Sequence, residues 1–368
     1  MNSRKQNLNI VFIASAASIH SIRWIKFFAN KKNKITLISL VKPSHVTVNE
    51  LKKFEKKIEI YYLNNLINFF RVFTFLKSRK YSLVHIHYLG WHSLLSLFIT
   101  SNSRLILTPW GSDLSQEKNH LKKIWLKTLF RKSNFLICDS KRLVKKSIEF
   151  GMKNENFMIS MFGVDTDLYQ KSRNIFAKEG TYVVGSNRNL EKIYDVKTLL
   201  KAAELICKTR NDVNFYIAGN GLLKESYEKF VKQKNLTSNI KFLGQLNKKE
   251  MLEFYNTIDI YVSTSLSDGG LASSIAEAMS FERLIIISNN SDNKIWIKNN
   301  INGFLFNSGD YRSLSELIIN SVKFKEKSIE ISKLSRDLII NKNSYQKEMK
   351  KVEKKYFDLI RKKINFLN

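Results

Sequence analysis

Proline, cysteine and acidic side chains are the scarce residues of this 368-residue sequence, and each shortage excludes something. Two prolines and 13 glycines rule out a linker-rich or turn-built scaffold. Two cysteines make no disulfide framework. Cys138 sits in an apolar run and Cys207 in a helical pattern, which reads as core thiols of a reducing compartment, and no zinc-type spacing exists. No uninterrupted apolar run reaches the ~20 residues of a membrane-spanning helix. Arg4-Lys5 followed by Leu8 to Ala17 imitates a signal peptide, with Ala14-Ser15-Ala16 as a mock cleavage site. Asn7 and Asn9 interrupt that run, however, and it leads straight into a patterned helix from Ile22 to Ala29. The expectation is a first strand of a folded, cytoplasmic protein.

Aspartate and glutamate number 32 against 62 lysines and arginines, a net charge of +30 that asks for an acidic partner. An anionic membrane surface and a phosphorylated substrate are the candidates. Abundant Lys, Asn, Ile and Phe together also match an A/T-rich codon bias. No RNP, KH or zinc-finger pattern is present, so nucleic acid is not expected.

What is there is alternation. Short strand-like runs and helical patterns follow one another along the chain, the signature of parallel sheets with crossover helices. A first series runs Leu8–Ala14, Ile35–Leu40, Ile58–Tyr62, Leu83–Tyr88, Arg104–Thr108, Phe135–Asp139 and Phe157–Phe162. A second runs Thr181–Ser186, Val213–Gly219, Ile240–Gly244, Asp259–Ser263, Leu284–Ser288 and Gly303–Phe306. The polar segment Thr166 to Gly180 reads as the linker. The fold class is therefore α/β, with Rossmann-like domains over 1–170 and 178–344 facing a central cleft, and a helix over 345–368 packing back across them.

The segment from Ser263 to Met279 is the most informative. A strand feeds a loop with Asp268, Gly269 and Gly270, then a small-residue helix carrying Glu277. Glycines admit close backbone approach, and a helix start offers unpaired N–H groups to an anion. A carboxylate two turns on would repel that anion but suits sugar or ribose hydroxyls. Phosphate on the amides and hydroxyls on the carboxylate together describe a nucleotide-sugar site; the bland alternative is a buried strand-loop-helix with a solvated Glu277.

From Asn9 to about Leu317 the sequence resembles the glycosyltransferase family 4 enzymes, which have the two-domain GT-B fold. Asp268 through Met279 resembles the family's acidic signature, with one residue more between Asp268 and Glu277. Gly219-Asn220-Gly221-Leu222 resembles its strand-ending glycine loop, Phe242 to Leu246 its base-contacting loop, and Asn302-Gly303-Phe304-Leu305-Phe306 with Asp310 its late turn. Ser186 to Lys192 occupies the place of the Arg and Lys that neutralise the leaving diphosphate. Arg188 fits, while Lys192 comes one residue early.

The resemblance implies a retaining transfer from a nucleotide-diphosphate sugar to a glycan or lipid-linked acceptor, with no metal and no cofactor. It assigns the catalytic work to Arg188, Lys192, Asp268 and His20, and the donor to Asn187, Gly219, Gln245, Leu246, Gly270, Leu271, Ala272 and Glu277. Ser18, Arg23, His87, Trp110 and Asp113 are expected on the acceptor side. His85 and His87 share one strand face by the period of two, and His87 is expected to reach the cleft. Many relatives carry a histidine where this sequence has Trp110. Asp165-Thr166-Asp167 imitates a metal motif but lies in the hinge and lacks supporting carboxylates. A nucleotide-sugar epimerase of the same fold and a non-catalytic sugar- or polyanion-binding protein are the alternatives. The helical stretches Asn64–Leu76 and Leu121–Phe135 bear apolar and basic residues that suit either a bilayer surface or the domain core, which makes a peripheral place on the inner membrane face an expectation to examine.

Overall fold

The structure, a computed structural model, describes residues 7–78, 81–100, 103–115, 119–153, 155–160, 163–268, 271–290 and 293–364. Two compact units account for the chain. Unit 1 is Met1–Phe162 with Glu348–Asn368, and unit 2 is Gly163–Lys347.

Unit 1 holds a parallel sheet of β1 (Asn9–Ile13), β2 (Lys34–Ser39), β3 (Ile58–Tyr62), β4 (Leu83–His87), β5 (Arg104–Thr108), β6 (Phe135–Cys138) and β7 (Phe157–Ile159), in the order β3-β2-β1-β4-β5-β6-β7. The central strands are buried runs such as Ile10-Val11-Phe12-Ile13, as expected where helices cover both faces of a parallel sheet. Val11 pairs with Thr36 on one side and Val84 on the other, so the strand order reverses direction between β1 and β4.

Unit 2 repeats the plan with β8 (Tyr182–Ser186), β9 (Val213–Ala218), β10 (Ile240–Gly244), β11 (Ile260–Ser263), β12 (Leu284–Ser288) and β13 (Phe304–Phe306), in the order β10-β9-β8-β11-β12-β13. Its reversal falls between β8 and β11. Crevices at the carboxyl ends of strands flanking such a reversal are where ligands bind in open α/β sheets.

The expected linker is an ordered part of unit 2. Ile175 and Phe176 are buried in its core, the Phe176 amide donates to Asp259 Oδ1 at 2.8 Å, and Arg173 pairs with the same oxygen at 3.0 Å. The division lies at Phe162–Gly163 rather than at residue 170, because Val164 already bridges to Ser344. Asp165 caps a turn through the Leu168 amide at 3.2 Å, and among the described residues no three His, Cys, Asp or Glu side chains converge.

The last helix, Tyr345–Ile364, packs from Glu348 onward on unit 1. Met349, Val352 and Tyr356 are fully buried, and the Tyr356 ring stacks on Phe28 at 4.9 Å. Ser160 Oγ donates to Glu348 Oε2 at 2.8 Å. Among the described residues no helix is long and apolar enough to cross a membrane.

Candidate active site

In unit 2 the carboxyl end of β8 presents Asn187 and Arg188, and that of β11 leads to Ser265 and Asp268. The Arg188 guanidinium is held on every edge. Nε donates to Ser265 Oγ at 3.1 Å, Nη1 to Ser274 Oγ at 3.0 Å and Nη2 to Asp268 Oδ1 at 2.5 Å. Its plane lies over the Tyr194 ring at 4.4 Å. Asp268 is buried. Desolvation raises its pKa, and Arg188 opposes that rise.

Ser274 opens the helix Ser273–Ser280, and Glu277, three residues later, shares its face. The Tyr255 hydroxyl donates to Glu277 Oε2 at 2.9 Å, and Asn187 Nδ2 donates to that hydroxyl at 2.8 Å. The Tyr261 hydroxyl completes the row by donating to Asn187 Oδ1 at 2.8 Å. Both tyrosines are fully buried, and burial pushes both phenols up in pKa, with the Glu277 charge adding to the shift at Tyr255. Arg188, Asp268, Asn187 and Glu277 are thus brought together, with Leu271 and Ala272 packed at the helix start.

Other expected donor residues fall differently. Gly219, at φ 120°, comes against the chain itself: a Cβ there would meet the Arg188 carbonyl oxygen at 2.7 Å. Its small size seats the loop that carries Arg188, so the close approach expected for a ligand is made by the chain's own backbone. Lys192 and Gln245 are exposed and stand outside the hydrogen-bonded cluster, whereas Leu246 packs on the core. Gly269 and Gly270 lie outside the described residues.

In unit 1 Ser18 caps the helix Ile19–Ala29, its side chain accepting from the Ser21 amide. His20, in the first turn, meets the edge of Trp110 with ring centroids 5.6 Å apart. Burial, then the charge of Arg23, lowers its pKa to about 4. Ser18, His20, Arg23 and Trp110 therefore gather at the carboxyl ends of β1 and β5.

Two acceptor-side expectations are corrected here. His87 is fully buried: its ring lies 5.1 Å from that of Trp24, with Nδ1 3.2 Å from Ser21 Oγ and Nε2 3.3 Å from His85 Nδ1. Burial lowers its pKa to about 3. The period of two does put both histidines on one face, but that face is the core under the first helix. Asp113, 2% exposed, accepts from the backbone amides of Leu89 at 2.7 Å, Trp110 at 3.0 Å and Gly111 at 2.9 Å. It fastens the loops after β4 and β5 and has no face left for an acceptor hydroxyl.

Against known proteins, the family model of glycosyl transferases group 1 matches residues 169–338, and that of glycosyl transferase 4-like proteins matches 9–140. Residues 169–338 thus carry the group 1 glycosyl transferase pattern and residues 9–140 the 4-like one. A poly(ribitol-phosphate) alpha-N-acetylglucosaminyltransferase of Staphylococcus aureus is 26% identical over 170 residues, covering 46% of this chain and 34% of that protein. A UDP-Gal:alpha-D-GlcNAc-diphosphoundecaprenol alpha-1,3-galactosyltransferase of Escherichia coli is 25% identical over 212 residues, 57% of this chain and 48% of its own. The matched segments thus span between a third and a half of those curated relatives. The crystal structure of HepE from Anabaena with UDP and glucose superposes with a TM-score of 0.78 at 15% identity, covering 96% of this chain and 100% of that one. The fold is GT-B.

Sequence reasoning missed part of the cluster around Arg188. Tyr255, Tyr261, Ser265 and Ser274 belong to it, and none of them is singled out in the sequence reading. Asn290, whose Nδ2 donates to Ser288 Oγ at 2.9 Å, and Asn293, whose Nδ2 donates to the Ser288 carbonyl at 2.9 Å, stand beside Asp268. Polar asparagines directly after the apolar strand Leu284–Ser288 were the available signal.

Proposed function

We propose that the chain is a retaining glycosyltransferase that moves a sugar from a nucleotide-diphosphate donor to a glycan or lipid-linked acceptor, in the synthesis of a cell-surface polysaccharide or glycolipid. The observation that carries this reading is one helical turn: Ser274 grips Arg188, and Glu277 on the same face accepts from Tyr255. A cation and a carboxylate on one rigid frame suit a diphosphate beside a ribose. Negative charge grows on the diphosphate as the glycosidic bond breaks, and a guanidinium already held by Ser265, Ser274, Asp268 and Tyr194 meets it without reorganising. Lys192, exposed nearby, adds only a screened charge. Glu277 takes the ribose hydroxyls, and Asp268 turns toward the donor sugar when the diphosphate replaces it on Arg188.

His20, with a pKa of about 4, is neutral at physiological pH and too weak a base to deprotonate an alcohol efficiently, so a donor phosphate oxygen takes the acceptor's proton. His20, Arg23 and Trp110 then orient the acceptor. The relatives' printed activities support both arms of the acceptor reading, one acting on a poly(ribitol-phosphate) and one on a diphosphoundecaprenol-linked sugar. The donor sugar comes from the cytoplasm, and a lipid-linked acceptor puts the enzyme on the inner membrane face.

Calorimetry and initial rates test this. Glu277→Ala weakens nucleotide-sugar binding roughly tenfold to a hundredfold with the fold intact. Arg188→Ala lowers kcat about a hundredfold to a thousandfold and affinity much less, since the charge it meets grows toward the transition state. Activity persists in EDTA. Unchanged donor affinity in Glu277→Ala, or activity lost to EDTA and restored by Mn²⁺, sinks the reading.

A further inference from the structure

Unit 1 exposes an apolar face that none of the chemistry above uses. On the helix Leu66–Lys77, Leu66, Ile67 and Phe70 are 76%, 66% and 63% exposed. On the 3₁₀ segment Trp91–Phe98, Trp91 and Leu97 stand out, and on the helix His120–Lys132, Leu121 and Ile124 do. These elements are neighbours. Phe98 packs edge-on to Phe69 at 6.0 Å and Phe73 at 5.0 Å, joining the first helix to the 3₁₀ segment. Trp125 Nε1 donates to Ser93 Oγ at 2.9 Å and Lys132 Nζ to the Ser96 carbonyl at 2.7 Å, joining that segment to the third element. Scattered exposed apolar residues need no explanation, whereas a joined set on adjacent elements does.

Charge identifies the occupant. None of the residues of these three elements is acidic, and from Ile60 to Cys138 the sequence has 11 lysines and arginines against Asp113 and Glu117 alone. Arg71, Lys77, Lys127, Arg131 and Lys132 are exposed at the edges of the apolar set. A second copy of the chain would bring this basic rim against itself, and like charges facing each other oppose association. An apolar centre with a wholly basic border complements anionic headgroups above acyl chains. We propose that this face docks unit 1 on an anionic bilayer, inserting Leu66, Ile67, Phe70, Trp91, Leu121 and Ile124 to headgroup depth. The proposal gives the lipid-linked acceptor reading its place of action and rests on that reading for its purpose, but its test needs no turnover.

The full chain is mixed with phosphatidylglycerol-containing or pure phosphatidylcholine vesicles, and co-sedimentation and tryptophan emission are read. Binding to the anionic vesicles alone is expected, with a blue shift that brominated lipids quench and that Trp91→Phe removes. Leu66→Ser with Phe70→Ser lowers partitioning at least tenfold without changing the melting temperature, because both side chains are exposed. Attraction worth about fivefold per basic residue near the surface predicts a loss of about a hundredfold or more for Lys122→Glu, Lys123→Glu and Lys127→Glu together. The same reversal at the exposed Lys229, Lys232 and Lys333 of unit 2 changes binding little. An equal loss in that control, equal binding to both vesicles, no binding to either, or a dimer in sedimentation that Phe70→Ser dissociates would each overturn the proposal. Turnover on a soluble acceptor analogue by the Leu66→Ser, Phe70→Ser enzyme stays at the wild-type level. Its absence in the wild type as well would count against the transferase reading instead.

Discussion

The carboxylate of Asp113 accepts from three backbone amides while almost wholly buried. Burial raises its pKa and the three amides lower it, so the side chain trades water for fixed donors. Asp113→Ala leaves the amides of Leu89, Trp110 and Gly111 without that acceptor, at a cost of roughly 2–4 kcal/mol in stability. Chemical denaturation of the variant checks this; an effect below experimental error would mean that water replaces the carboxylate. A different arrangement holds Arg188, where two hydroxyls, a carboxylate and an aromatic face fix one cation. The proposed reaction gives that cation a task beyond stability, meeting the charge that develops on the diphosphate.

The elements themselves were legible in the sequence to within a few residues. All thirteen expected strands occur, and Ile58–Tyr62, Arg104–Thr108, Ile240–Gly244 and Leu284–Ser288 have the expected ends. Buried parallel strands leave short apolar runs rich in β-branched residues, and their length and flanks tell them from buried helices. The candidate site was legible where a residue type announces its chemistry, as at Arg188 and Glu277. It was illegible where the partner is backbone or distant. The period of two paired His85 with His87, but only the packing of Trp24 shows which face they occupy. Asp113 looked like a free acid because amides leave no mark in a sequence. The pairing of Arg188 with Asp268 joins positions 80 residues apart.

The last helix carries a prediction at the same scale. The Tyr356 hydroxyl lies 2.5 Å from His85 Nδ1, whose other ring nitrogen meets Thr108 Oγ1 at 2.7 Å. Tyr356→Phe keeps the ring on Phe28 and removes that partner from a buried nitrogen, lowering stability by about 1–3 kcal/mol. Urea unfolding followed separately in the two units should show the loss in unit 1 alone. A loss shared equally by unit 2 would contradict the packing described here.

At the scale of the whole molecule, net charge and buried histidines make acid the weak side. His85 and His87 are fully buried, burial lowers both pKa values, and His87 falls to about 3. Below about pH 6.5 the unfolded chain binds protons on these rings that the folded chain refuses, so stability falls as pH falls toward the folded values. The slope reaches about 1.4 kcal/mol per pH unit for each histidine. Asp113, with a raised pKa, acts in the opposite sense and only nearer its ordinary range, so the histidines dominate between pH 6.5 and 5. Denaturation at pH 7, 6 and 5 measures the slope. His20 and His92, also lowered by burial, share the slope, so His87→Gln should remove about a quarter of it, and a flat profile would refute the burial of these rings.

Unit 1 is discontinuous in the chain, and that imposes an order in time. Its sheet is complete by Phe162, yet Tyr356 and the rest of its covering helix arrive only after all of unit 2 has been made. At about 5–20 residues per second, the intervening 185 residues occupy the ribosome for roughly 10–40 s. Throughout that interval Phe28 has no ring stacked on it and His85 has no phenol beside it, while unit 2, contiguous from Gly163 to Lys347, needs no later segment to complete it. The domain begun first is finished last, and the half-covered first sheet is the form of this protein that a chaperone or protease would meet.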